Sequence, residues 1–399
     1  MRKNIQPADS IPTDAYNTYY MRTAERYRIL KWILLLVFTL YLVFTLTVYR
    51  ESITHENLMY LLRDFDVSAS ASEGFSSVVY EERQNRTFSV FRGSLVTAAA
   101  SEISFFSPAG SRMLHETTAC ASPVLDTGDK YLLLYDEGGT AYSVYTTIAS
   151  VISGNTDSTI QCADMSASGR YAIATRSQDS KYIVILYSDS FREIARYYRD
   201  TYVVDVTLSD DGDQLAILSV LSDHSTLNGV LTLCKAGTEE TADISLGEHL
   251  PLRASYLANG TLAVVSDGGV HFFGADGAKV SEFLYQNLTL SSLDISANRV
   301  AVVCREDSLG TSSRIYVLSG DGSVVSQTST TEKITAVYAS DADVDAYVCT
   351  QNAVWSLKGA TMTDFASYTG NLLSVCDIGE TPVFCFASGA QSAANPDTP

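Results

Sequence analysis

The sequence predicts an all-β fold: an extracytoplasmic β-propeller of eight blades, with seven as the alternative, behind one N-terminal transmembrane helix. Three observations predict it. One pattern recurs, a polar-edged strand leading through a tight turn into a strongly apolar strand, most clearly at Asp164–Thr175, Val206–Leu218, Ser255–Val265 and Leu293–Val303. With fainter copies included, its turns fall at residues 93, 128, 169, 212, 260, 298, 343 and 379, about 41 residues apart on average. Each copy then continues into a second hairpin of short aromatic or β-branched strands, as at Val270–Phe283 and Arg314–Val325, where Asp-Gly supplies a turn that tolerates positive φ. Four strands per repeat of this length is the signature of a propeller blade. The third observation is a run of seventeen uncharged residues, Trp32–Val48, whose ~25 Å of helix is enough to cross a bilayer core.

In chain order, residues 1–28 form a cytoplasmic segment and 29–49 a transmembrane signal anchor. Arg22, Arg26, Arg28 and Lys31 crowd the N-terminal side of the span, whereas Arg50 on the far side is answered at once by Glu51. Lys and Arg density sets orientation, so the N-terminus is expected inside and everything after Arg50 outside, a single-pass protein of the cell membrane. A cleaved signal peptide would end at small residues, but Val48-Tyr49-Arg50-Glu51 is large and charged. Residues 50–74 read as a juxtamembrane helix and linker. Ile53, Leu58, Leu61, Leu62 and Phe65 share a face of Ser52–Phe65, and Ser52 or Thr54 caps its start. Residues 75–387 hold the propeller and 388–399, rich in Gly, Ser, Ala and Pro, read as a disordered tail.

The last repeat, Ser374–Ala387, supplies only two strands. A ring closed on half a blade would leave open strand edges. The missing strands are therefore expected from the N-terminal side, with Phe75–Tyr80 as the candidate.

Charge and composition narrow the function classes. The first 31 residues carry a net +3 and the remainder a net −22, so the exported part is repelled by phosphate backbones and nucleic acid is excluded as a partner. Seven cysteines spread over Cys120–Cys385 include no C-x-x-C pair. Several lie inside apolar strands and read as small buried hydrophobes, with one disulfide in a terminal unit as the alternative. Five scattered histidines form no i,i+4 pair, and neither a G-x-S-x-G elbow nor a phosphate-binding loop occurs. No catalytic residue, cofactor or metal ligand is assigned. Ser209–Asp213 and Asp341–Asp345 space oxygens as a calcium loop could, but both occupy inter-strand turns, where Asp and Gly are favoured by turn geometry alone.

The remaining candidate site is the central channel. The innermost strands present Asp164, Thr207, Tyr256 and Asp294 at matching repeat positions, with Asp126 and Asp205 nearby. Asp164, Tyr256 and Asp294 are taken as an acidic, Tyr-containing binding mouth. The competing reading is that these groups hydrogen-bond neighbouring blades.

The basic N-terminus, the single span, the segment Asn57–Asp66 and the blade repeats together resemble a family of uncharacterised, membrane-anchored β-propeller proteins of Gram-positive anaerobic bacteria. The resemblance covers nearly the whole chain and implies no known activity. The expected function is a non-catalytic scaffold that binds an envelope protein or glycan. The alternative is a propeller hydrolase or lyase acting on envelope glycans.

Overall fold

All eight expected turns join the first two strands of a four-stranded antiparallel sheet, and there are eight such sheets among the described residues. The computed structural model describes residues 26–28, 30–41 and 75–392, except 224–225, 239–240, 307–310 and 380. Contacts divide the chain into two units, Met1–Arg63 and Asp64–Pro399.

In the first unit, residues 26–28 and 30–41 are helical, and apolar side chains from Leu30 to Tyr41 are exposed. Among the described residues no helix is long and apolar enough to cross a membrane. The remainder of the expected 29–49 span, the cytoplasmic 1–25 and the 50–74 helix and linker lie outside the described residues.

The second unit is the propeller. Blade 1 runs from Thr87 to Thr117, blade 2 from Pro123 to Asn155, blade 3 from Ile160 to Arg199 and blade 4 from Tyr202 to Gly247. Blade 5 spans Pro251–Leu284, blade 6 Thr289–Thr330 and blade 7 Ala336–Ser367. Second strands such as Ser94–Ala99, Leu132–Asp136 and Leu262–Ser266 are buried along their whole length. A strand covered on both faces reads as a continuous apolar run, which is why these are the clearest part of each repeat. Outer strands such as Lys279–Leu284 alternate exposed and half-buried residues, as a sheet edge in water does. Each of the eight buried apolar clusters lies between two neighbouring blades, so the core is a set of wedges and not one central mass.

The turns use the residues their geometry demands. Gly169 sits at φ +92°, a region closed to most side chains. At Gly128 a Cβ would lie 2.1 Å from the Ser166 carbonyl oxygen, so only glycine lets blades 2 and 3 approach this closely.

Blade 8 closes the ring and corrects the sequence reading. Its strands Leu372–Ile378 and Thr381–Phe386 are followed by a third, Gly389–Ser392, inside the segment expected to be a disordered tail. Only the fourth strand comes from the N-terminal side, and it is two residues long, Val78–Val79, paired with Ala390 and Gly389. The propeller thus runs five residues past its expected end. Gly-Ala-Gln-Ser carries no apolar alternation, and pairing on both sides, with Ala390 buried, holds it in place.

The closure is locked by side chains. The Tyr80 N–H donates to the Ser388 carbonyl at 3.0 Å, and its hydroxyl donates to the Phe386 carbonyl at 2.9 Å. Arg86, its side chain 1% exposed, pairs with Glu102 at 2.6 Å, donates to Thr97 and the Glu81 carbonyl, and lies 4.4 Å from the Tyr80 ring centroid. All seven cysteines are free, and all but the half-buried Cys376 are buried.

Candidate functional site

The first strands of successive blades pack against one another around the ring centre, and strand register decides which of their side chains do what. Asp126, Asp164, Thr207, Ser255, Asp294, Tyr338 and Asp377 occupy one equivalent position in seven blades, opposite the second residue of the blade's second strand or, for Thr207 and Asp294, the third. In that set the expected Tyr256 is displaced by its neighbour Ser255. Tyr256 stands opposite Leu262, one residue further on, and the two-residue period of a strand turns it away. It is buried in the apolar cluster between blades 4 and 5, its hydroxyl 3.4 Å from the Gln214 side-chain oxygen. Thr207 is also buried, whereas Asp164 and Asp294 are half-buried.

The carboxylates at this position act as latches between blades. Asp126 accepts from the Met165 N–H of blade 3, Asp164 from the Leu208 N–H of blade 4 at 2.7 Å, and Asp294 from the Ala339 N–H of blade 7 at 2.9 Å. In every case the donor is the residue one past the equivalent position in the next blade. A second tier repeats the device two residues earlier: Asp205 accepts from Ala254 N–H at 2.9 Å and the Ser292 hydroxyl from Val337 N–H at 3.3 Å. First strands of neighbouring blades share no sheet, so these side chains satisfy backbone donors that would otherwise be stranded.

The same carboxylates form an electrostatic group. Burial, and then the nearby charge of Asp126, push the Asp164 carboxyl well above the ordinary range. Burial also raises Asp126 and Asp294, and lifts Asp205 to about 6. Arg253, exposed on the first strand of blade 5, is the cation whose field opposes the shift at all four. The arrangement presents negative charge with one guanidinium among it. Asp126, Asp205 and Arg253 are the members beyond the three expected site residues. The two aspartates were legible as neighbours, whereas Arg253 carried no repeat signal.

The two acidic turn clusters are committed elsewhere. Asp211 accepts from the Ser209 hydroxyl at 2.6 Å and Asp213 pairs with Arg170 of blade 3 at 2.6 Å. Asp341 accepts from Ser296, Ala297 and Asn298 of blade 6, and Asp345 from Arg299, Ser326 and Gly359. Among the described residues no group of three or more His, Cys, Asp or Glu is placed to hold a metal ion.

A family model described as a family of unknown function (DUF5711) matches residues 70–380. No curated protein matches the sequence. Among solved structures, BamB from Moraxella catarrhalis is similar with a TM-score of 0.52 at 13% identity, covering 80% of this chain and 99% of that one. The β-propeller domain of Cps50 (Swd1) from Myceliophteria thermophila gives 0.48 at 13% identity, with 72% and 97% covered. At such identities the BamB likeness speaks for the fold alone.

Proposed function

The chain belongs to the DUF5711 family of unknown function, and we propose that it is a non-catalytic scaffold, anchored in the cell membrane through residues 29–49, whose extracytoplasmic propeller binds an envelope protein or glycan. The observation that carries this reading is the use made of the channel acids. Asp126, Asp164, Asp205 and Asp294 each accept a backbone N–H from the next blade, so the ring needs them for assembly. The anchor rests on the apolar run and its basic flank, and a net −22 beyond residue 31 keeps nucleic acid out of the partner set.

One observation favours a second reading. Burial and the charge of Asp126 hold the Asp164 carboxyl well above the ordinary range, and a carboxyl kept protonated is what a glycoside hydrolase uses as its acid. A single experiment separates the two. The detergent-solubilised full chain is incubated with peptidoglycan and teichoic-acid fractions, and both retention and released fragments are measured. Saturable retention without product supports the scaffold. Product release that disappears in Asp126→Asn and Asp164→Asn overturns it in favour of the hydrolase.

A further inference from the structure

Blade 4 carries an unusual hairpin. Its strands Gln214–Asp223 and Thr226–Lys235 are ten residues each, where the other strands run from two to seven. Tyr202 of the first strand reaches only to Val220 and Gly247 of the fourth only to Gly229, so residues beyond these pair only with each other. This overhang exposes Leu221 and Leu227. The crossover from Gly247 to Pro251, leading into blade 5, lies across its base. A Cβ on Gly229 would stand 2.5 Å from the His249 carbonyl oxygen and 3.0 Å from the Pro251 ring. The crossover is tied down by a reciprocal pair: Leu250 N–H donates to the Asp267 carboxylate at 2.9 Å, and Asp267 N–H donates to the Leu250 carbonyl at 3.0 Å.

His249 lies on Gly268, where a Cβ would be 2.1 Å from its Nδ1. Its ring centroid is 6.0 Å from that of His271, which is 5% exposed on the strand Gly269–Phe273. The His271 Nδ1 is 3.6 Å from the Glu282 carboxylate, and its Nε2 is buried with no partner. The charged groups facing this ring are His249 from the crossover and Lys279 and Glu282 from the outer strand, while Asp267 stands 3.7 Å from the His249 Nδ1. Lys279 also pairs with Glu282, so that carboxylate is shared.

We propose that His249 and His271 form a proton-operated clasp, which holds the 247–251 crossover over the hairpin base at neutral pH and releases it in acid. A neutral imidazole can be buried with one bare nitrogen acting as an unused acceptor. The imidazolium needs partners for two N–H donors, and here the Nε2 position offers none. Burial, and then Lys279, hold His271 below the ordinary imidazole range. The clasp is therefore at full strength above about pH 6.5, the unfolded value, and weakens as pH falls below it. The charge of His249, half-exposed across the 6.0 Å gap, also opposes charging of the His271 ring.

Hydrogen exchange of the Leu250 amide in the full chain, corrected for intrinsic rate, tests this at pH 7.5 and pH 5.0. The expected result is at least tenfold lower protection at pH 5.0, with the Val264 amide of the blade's second strand unchanged as a fold control. His271→Phe, which fills the site and cannot titrate, abolishes the acid effect. His249→Gln, on a half-exposed ring that the fold tolerates, reduces it. Equal protection at both pH values in the unaltered chain, or an undiminished acid loss in either variant, overturns the proposal.

Discussion

At the scale of single residues, the channel aspartates do two opposed things. Each satisfies a backbone donor of the next blade, and each adds charge to a crowded, half-buried ring. Because their folded pKa values lie above the unfolded value of ~3.9, the folded ring holds these protons more tightly than the unfolded chain. Their contribution to stability is greatest at or below pH 4 and is lost as pH rises towards the folded values, about 6 for Asp205. Asp164→Asn keeps an oxygen for the Leu208 N–H and removes the charge. It is expected to raise the thermal midpoint at pH 7.5 by a few degrees and to flatten its dependence between pH 4 and 7, read by calorimetry. Asp164→Leu removes the acceptor too, and leaving the Leu208 donor unpaired costs about 1–3 kcal/mol. The acids were legible in the sequence because they recur at one repeat position. Tyr256 was misplaced because the repeats were aligned one residue out at blade 5, and in a strand one residue reverses the face. The hydrogen bonds themselves were not legible, since they join residues such as Asp164 and Leu208 whose approach depends on ring closure.

At the scale of elements, the second strands announced themselves and the edges did not. Ala301-Val302-Val303 is apolar because both its faces are covered, whereas Gly389–Ser392 is a strand only because it has neighbours on both sides. Its importance follows from the pairing, since among the described residues Val78–Val79 is hydrogen-bonded to no other strand. Truncation after Ala387 should therefore be as damaging as deletion of residues 75–80, lowering the thermal midpoint by several degrees or causing aggregation through the bared edge. Truncation after Ser392 should leave the midpoint unchanged. The lock at Arg86 is a separate contribution. Arg86→Met takes the 2.6 Å partner from Glu102 and leaves it the Arg83 guanidinium at 3.7 Å, a loss of about 1.5–3 kcal/mol for a hydrogen bond to a charged group. An equilibrium denaturant titration measures it, and Glu102→Gln combined with Arg86→Met should recover part of the loss.

At the scale of the whole molecule, the proposed topology makes a labelling prediction. The chain's own cysteines are buried or half-buried, so the background with a membrane-impermeant thiol reagent is low. A cysteine at Ser10 should stay unlabelled in intact cells and one at Asp179, exposed on blade 3, should react; the reverse pattern would place the propeller inside. The eight-fold repeat was readable because every turn kept its place at about 41-residue spacing. The identity of a partner was not, because recognition depends on surface loops that obey no period. The two-ended construction of blade 8 also bears on synthesis. Tyr80 and Phe386, joined by a hydrogen bond, are 306 positions apart, and at ~5–20 residues per second a ribosome needs roughly 15–60 s to deliver the second after the first. Throughout that interval seven blades can form while the strand Val78–Val79 waits without its partner. The nascent propeller is an open arc until Gly389–Ser392 is delivered, its first and last edges available to any passing strand, and chaperones that shield sheet edges would have their greatest effect on its yield.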